Sequence, residues 1–423
     1  MEFYACCPGE HREKDSGKEM NVIKKIRLKI SSLEFRLLKL RANRYGYTLK
    51  GYQPPADNEV IFENLFKTSF SKNALLSYIV EPFKASIRNY HSNHAECYLM
   101  ADILKELEYN VDVINWDNNT YWPDKTYDLV LDNHNNLKRL APLLPAHTIK
   151  IFHATNTYWL YQNSVEYQGC LNFFKKKGAL IAPTRLRPEG DSIAFADKVS
   201  MFGNEFTAAT YGVFEKKIVQ LPMSVTIDVP IGYTKDFGAA KTRFLWLNSH
   251  GAILKGLDVV IQVFAGRPDL DLFICCDLNR DQPFFEAVEP LLAQAPNIHV
   301  EGWVDTNSDH FKKLVAQCCW VISTSRSEGG GGSILNCMSQ GLIPVISKSC
   351  SITLPEGIGY YIDNSGDTDA IICCLRNLTI LENDVLNRMS QKSIEFINEN
   401  HTRTNFRDKY RKFLADAIQE RNS

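Results

Sequence analysis

Apolar and polar positions along this chain follow two alternating patterns. Short apolar runs at 75–80 (LLSYIV), 111–114 (VDVI), 128–132 (DLVLD) and 149–154 (IKIFHA) predict strands buried on both faces. Between the first two, residues 95–109 (AECYLMADILKELEY) carry the period of a helix. Further strands are expected at VSMF (199–202) and KKIVQL (216–221), with a short helix near 207–211. A turn-rich stretch, 221–242, then reads as a connector. A second series follows it, with strands at FLWLN, LDLFICC, IHV, WVIST, PVIS and GYYI and helices between them. Two or three helices finish the chain. Strand and helix in alternation argue for parallel sheets covered by helices. The expected architecture is α/β, with two doubly wound, Rossmann-like domains facing a central cleft at the carboxyl ends of their strands.

The segment 1–59 stands apart. Residues 1–19 have no periodic pattern, and Met20 opens the better-patterned sequence, which an intact-mass measurement would test as the true start. Ile23, Ile26, Ile30, Leu33, Leu37 and Leu40 then recur on one helical face, surrounded by basic residues such as Lys24, Lys25, Arg27 and Lys29 and opposed only by Glu34. A basic amphipathic helix of this kind lies on an anionic membrane surface, pairs with a copy of itself, or docks on its own domain. The expected division is 1–59 extension, 60–222 first domain, 223–242 linker, 243–400 second domain, and 401–423 a final helix returning to the first domain.

Composition narrows the function classes. With 423 residues, two cores are expected rather than one. Lys+Arg 48 against Asp+Glu 49 leaves a net charge of −1, so nothing in the balance points to nucleic acid. No apolar run is long enough to predict a transmembrane helix, and the polar opening MEFYACCPGEHREKDSGKEM does not resemble a secretory signal. The 12 cysteines show no metal-type spacing and fall largely inside apolar patterns, as expected of small hydrophobes in a reduced, cytoplasmic protein.

Two segments carry candidate chemistry. Gly329, Gly330, Gly331, Gly332 and Ser333 follow Glu328 between the strand WVIST and the helix SILNCMSQ. Four glycines are costly to order, so the run is either slack linker or a place where something approaches the backbone closely. Buried elements on both sides favour the second reading, because a glycine-rich strand-to-helix turn offers free N–H groups to a phosphate. A carboxylate at Glu328 would repel that phosphate and is better suited to sugar hydroxyls. In the second segment, Ser249, His250 and Gly251 follow a strand, and Lys255 opens a helix from which it supplies a point charge to a diphosphate. A solvated lysine at a helix start is the plainer alternative.

Together these segments resemble retaining glycosyltransferases of the GT-B fold, specifically the large group 1 type (family 4) that includes bacterial mannosyl- and glucosyltransferases. The resemblance is strong over about 243–363, looser over 85–222, and absent from 1–60. It implies a nucleotide-sugar site in the second domain, with Glu328, Lys255 and His153 as the catalytic candidates. Gly302 and Val304, in EGWVD, match the segment that cradles the base, with a plain strand-to-loop turn as the alternative. His153, in IFHATNTYW, matches a histidine lying near the transferred sugar, with a satisfied structural histidine as the alternative. Gly203, Asn204 and Thr207 read either as a helix cap or as a substrate contact, and the region of His91 and His94 stands where the family has a glycine pair.

Two positions depart from the family. Its second glutamate, expected to hold ribose, is Asn336 here, and an arginine expected six residues before Lys255 is Ser249. The resemblance implies a UDP-, GDP- or ADP-linked donor, a glycan or lipid-linked acceptor, no metal and no cofactor beyond the donor. Peripheral contact with the inner face of a membrane through residues 22–44 fits the same picture. The two departures keep a catalytically inactive binding or scaffold subunit open, and a nucleotide-sugar epimerase uses a similar two-domain fold.

Overall fold

The computed structural model describes residues 59–84, 92–227, 235–363 and 366–422. They belong to the second of two units into which the chain divides, residues 58–423. The basic segment 22–44, Met20 and His91 lie outside the described residues.

The first sheet contains β1 (Ile61–Phe62), β2 (Lys72–Tyr78), β3 (Tyr109–Asn115), β4 (Leu129–Asp132), β5 (Ile149–Ala154), β6 (Lys198–Phe202) and β7 (Ile218–Leu221). Their spatial order is β1-β3-β2-β4-β5-β6-β7, parallel throughout except for the short edge strand β1. The second sheet contains β8 (Arg243–Leu247), β9 (Asp271–Cys275), β10 (Ile298–Gly302), β11 (Trp320–Ser323), β12 (Ile343–Ser347) and β13 (Tyr360–Ile362). It is wholly parallel, in the order β10-β9-β8-β11-β12-β13. Helices cover both faces of each sheet, so strands such as β4, β11 and β12 are buried at every residue and their sequences read as unbroken apolar runs.

Each sheet changes its direction of growth once, between β2 and β4 and between β8 and β11. Such switch points are where open α/β sheets bind ligands, because the connections leave in opposite directions and part the strand ends. The β8–β11 ladder runs over only Phe244–Trp320 and Leu245–Val321. The crevice therefore opens directly at the ends of these two strands.

Two crossings join the sheets. Residues 222–227 leave β7, and the chain returns between the helices Asn383–Asn400 and Arg403–Asn422. The crossings are bonded together, with Val225 N–H on the His401 carbonyl and His401 Nδ1 on the Met223 carbonyl, both at 2.9 Å. Phe406, Tyr410, Phe413, Leu414 and Ala417 of the final helix belong to the core of the first sheet, beside Leu76, Val111 and Leu129. The connector is not wholly irregular, since Phe237–Ala240 forms one helical turn capped by Asp236.

Helix Trp159–Lys177 carries no apolar period facing the core. Its buried face presents Gln162, Glu166, Gly169, Cys170 and Phe173, while Leu160, Tyr167, Leu171 and Phe174 lie exposed. One Glu166 oxygen accepts there from the N–H groups of Thr184 and Arg185, while the other is buried without a hydrogen-bond partner among the described residues. The described cysteines are free thiols, and eight of them are buried.

Candidate active site

A cleft of about 560 Å³ lies at the carboxyl ends of both sheets. Its first-domain wall comes from the ends of β2, β4, β5 and β6, and its second-domain wall from the loops after β8, β10 and β11.

The glycine run forms one edge of this cleft, and protein comes close to it before any ligand does. A Cβ on Gly329 would stand 1.8 Å from the Thr155 carbonyl oxygen and 2.7 Å from Asn156 Cα, both beyond the end of β5. Beside this contact the Thr157 and Ser327 hydroxyls meet at 2.6 Å. Gly331 has φ +64°, and a Cβ there would meet Ile352. The close approach inferred from the glycines is thus, at Gly329, an approach of the two domains. Gly331 is the N-cap of helix Gly332–Ser339, which has no side-chain cap, so its first amides are free to serve an anion. Gly329, Gly331, Gly332, Ser333 and Ile334 line the cleft, whereas Gly330 does not.

Lys255 Nζ lies 2.6 Å from Glu328 Oε1, and both side chains are nearly buried, with 7% and 14% exposure. Burial pulls the lysine below its ordinary pKa, the Glu328 carboxylate acts against that, and Arg185 adds to the lowering. The pair is held by tight turns. Gly256, at φ +74°, has no room for a Cβ against Thr324, whose hydroxyl donates to the Gly256 carbonyl at 2.9 Å. Much of the lysine charge is therefore compensated inside the protein, leaving a dipole rather than a bare cation facing the cleft.

The loop after β8 is reached from the opposite domain. Nη1 of Arg185 stands 3.2 and 3.1 Å from the two ring nitrogens of His250. The arginine stem fills the space over Gly251, where a Cβ would meet its Cγ at 2.4 Å. Burial, then Arg185, Arg280 and Lys255, push His250 down to a pKa of about 4, so the ring is neutral at pH 7. Gly251 does not line the cleft; its N–H donates to Asp281 at 2.8 Å. Ser249 and His250 do line it, and the Ser249 hydroxyl is 3.3 Å from His250 Nδ1.

Other expected site residues have other partners. Asn336 lines the cleft, but its amide is engaged twice by Thr226, accepting from the backbone N–H and donating to the hydroxyl, each at 2.9 Å. It fastens the helix after the glycine loop to the interdomain connector. Gly302 turns the chain at φ +75° behind the wall, while Trp303 and Val304 line the cleft.

His153 is a correction to the sequence-based expectation: it does not line the cleft. It is fully buried on β5, 2.9 Å from Ser200 Oγ and edge-on to Tyr78, Phe202 and Tyr410, and burial pushes it down to about 3. Asn156, three residues on, reaches the cleft instead. Asn204 caps a short helix through Phe206 N–H, and the buried Thr207 fills the space over Gly203, which is the cap alternative.

Four cleft residues carried no sequence signal: Arg185, Arg187, His134 and Glu96. Arg185 and Arg187 sit in an irregular segment, and nothing in the pattern sends it across the cleft. Glu96 falls in the middle of a helix, where a carboxylate ordinarily faces water. Here it is buried, accepts from the Ser224 N–H and hydroxyl at 3.1 and 3.3 Å, and is pushed up to about 7 by burial.

No family model matches this sequence, and no curated protein sequence does. Solved structures match it in three dimensions. A sucrose-phosphate synthase from Thermosynechococcus elongatus is 12% identical, with TM-score 0.56, covering 82% of this chain and 99% of its own. Anabaena Alr3699/HepE, solved with UDP and glucose, is 12% identical, with TM-score 0.52 and the same coverages. A glycosyltransferase from Rickettsia africae ESF-5 is 13% identical, with TM-score 0.52, again over 82% and 99%. Each match covers 82% of this chain, which has two parallel sheets, and the chain therefore has the GT-B fold of glycosyltransferases.

Proposed function

We propose that the cleft transfers a hexose from a nucleoside diphosphate sugar to an acceptor hydroxyl with retention of configuration. The carrying observation is the meeting of Arg185, the Lys255–Glu328 pair and the uncapped start of helix Gly332–Ser339 at one rim of the cleft. Sugar transfer leaves positive charge on the sugar and negative charge on the departing diphosphate. Fixed donors aimed at the phosphates stabilise that separation. Arg185 and the amides of Gly332 and Ser333 would hold the diphosphate, and Lys255 would act through its pair with Glu328. The free Glu328 oxygen would accept from sugar hydroxyls. The bond from the anomeric carbon to the diphosphate oxygen breaks, a bond to the acceptor oxygen forms on the same face, and the acceptor proton leaves on the diphosphate. With cations already in the protein the reaction needs no metal, so activity should survive EDTA.

HepE, solved with UDP and glucose, supports a UDP-linked donor; GDP and ADP donors stay within the same reading. A glycan or lipid-linked acceptor, a role in polysaccharide synthesis and a cytoplasmic site at a membrane face belong to the same proposal. Among the described residues no helix is long and apolar enough to cross a membrane. A second reading, a nucleotide-sugar-binding subunit without turnover, is favoured by Lys255 and Asn336 both being engaged by protein partners. Thermal shifts against UDP-, GDP- and ADP-sugars, followed by radiolabel transfer to a glycan and lipid extract, separate the two. A cognate donor at roughly 100-fold its Kd should stabilise the fold by about 2.7 kcal/mol. Stabilisation without transfer selects the binding subunit, and no stabilisation by any donor refutes both.

A further inference from the structure

A second arginine in the cleft has no counter-charge among the described residues. Arg187 lines the cleft and also an adjoining recess of about 30 Å³, which shares Asn133, His134 and Asn156 with the cleft wall. Its side chain is partly buried and meets the opening, and its charge lies deep enough that burial lowers its pKa. Among the described residues no carboxylate pairs with it. The groups acting on its charge are the Tyr211 and Tyr78 hydroxyls and the like charge of Arg185. Burial, with Arg187 adding to it, pushes His134 down to about 4, so this histidine adds no charge of its own at neutral pH. In the same recess, the indole N–H of Trp159 is buried and has no acceptor among the described residues.

A guanidinium partly withdrawn from water without an anion carries a desolvation cost, and an arriving anion offsets it. Its planar fork suits the two oxygens of a carboxylate or phosphate. The recess holds about two oxygen-sized positions at roughly 10–15 Å³ each, too few for a sugar ring. Arg185 packs against His250 of the second domain, on the donor side, whereas the recess around Arg187 is built wholly from the first domain. We propose that Arg187 forms an anion subsite on the first-domain side of the cleft, across from the donor site of the second domain, and that the acceptor lies there and carries a carboxylate or phosphate ester read by this guanidinium. The proposal rests on the sugar-transfer reading of the cleft.

The test is calorimetric titration of the full chain with inorganic phosphate, with acetate, and with glycerol as the neutral control. UDP, or whichever of UDP, GDP and ADP binds, fills the donor site at saturation. Phosphate or acetate should bind where glycerol does not, and the stronger of the two identifies the anion. Arg187→Gln should weaken that binding at least tenfold, Arg187→Lys should retain part of it, and nucleotide affinity should stay within about twofold in both. Anion binding unchanged in Arg187→Gln overturns the proposal. So does a tenfold loss of nucleotide affinity in that variant, which would give Arg187 to the donor diphosphate. If no nucleotide binds the wild type, the transferase reading fails separately. The titration is then made without nucleotide, and an anion site lost with Arg187 keeps the subsite while its acceptor role falls.

Discussion

At the scale of single residues the site is decided by what each charge faces. Arg185→Ala removes the cation that crosses to the β8 loop, and donor affinity should fall by about 1.5–3 kcal/mol, roughly 10- to 150-fold in Kd, with little change in melting temperature. Unchanged nucleotide affinity by calorimetry would remove Arg185 from the donor site. Lys255 and Glu328 form a nearly buried pair. Taking away one partner leaves a charge without compensation, so Lys255→Met should cost about 3–5 kcal/mol in stability. The double variant Lys255→Met/Glu328→Gln should recover part of that loss, and a double-mutant cycle with no coupling would contradict the pairing.

Glu96 makes a pH-dependent prediction. Its folded pKa, about 7, lies above its ordinary value of 4.5 because the carboxyl is buried. In the window from about 4.5 to 7 the folded state binds more protons than the unfolded state, so this group's contribution to stability falls as pH rises. The loss is at most on the order of 3 kcal/mol. The histidines at 134, 250 and 401, held down to about 4, slope the other way below their ordinary value, but they are common to wild type and variant. Glu96→Gln keeps an acceptor for Ser224 and should gain on wild type steadily from pH 4.5 to 7 in denaturant titrations. A pH-independent difference would mean that Glu96 titrates normally.

At the scale of elements, how much was legible depends on which face carries the apolar residues. Strands enclosed by helices announce themselves, and β4, β5, β8, β11 and β12 stand where their apolar runs do. Helix Trp159–Lys177 did not, because its core face is partly polar and its exposed face partly apolar. The glycine run was legible as a place of close approach, yet nothing in it told that Gly329 meets Thr155. That contact is set by where β5 ends in a different domain, a pairing so distant along the chain that no local pattern encodes it. His153 misled for a related reason: the sequence puts it near the end of a strand, while only the sheet decides that its ring turns into the core. Gly329→Ala tests the contact. A methyl group at 1.8 Å from a carbonyl oxygen has no room, so the domains should be held apart while each keeps its own core. The expected result is near-normal circular dichroism with loss of transfer and a larger radius of gyration in scattering. Wild-type activity would show that the contact is dispensable.

At the scale of the whole molecule, the domains are linked by two adjacent crossings bonded to one another, Met223–Val225 with His401. Glu96 and Asn336 fasten the connector on either side of that point, through Ser224 and Thr226. Thr226 would be left with a buried, unpaired N–H in Asn336→Ala, costing about 1–3 kcal/mol. If the connector is a hinge, the loss should appear as a higher donor KM as well as a lower melting temperature; a fall in melting temperature alone would make Asn336 purely structural.

The final helix has a consequence for how the protein is made. Phe406, Tyr410 and Phe413 complete the core of a sheet whose strands were all synthesised before residue 222. During translation that sheet must wait, its apolar face open, while the whole second domain emerges and folds. Only when the helix Arg403–Asn422 clears the ribosome can it close. The first domain is therefore the last to finish, and a chain stopped short of residue 403 should be a client for chaperones rather than a smaller enzyme.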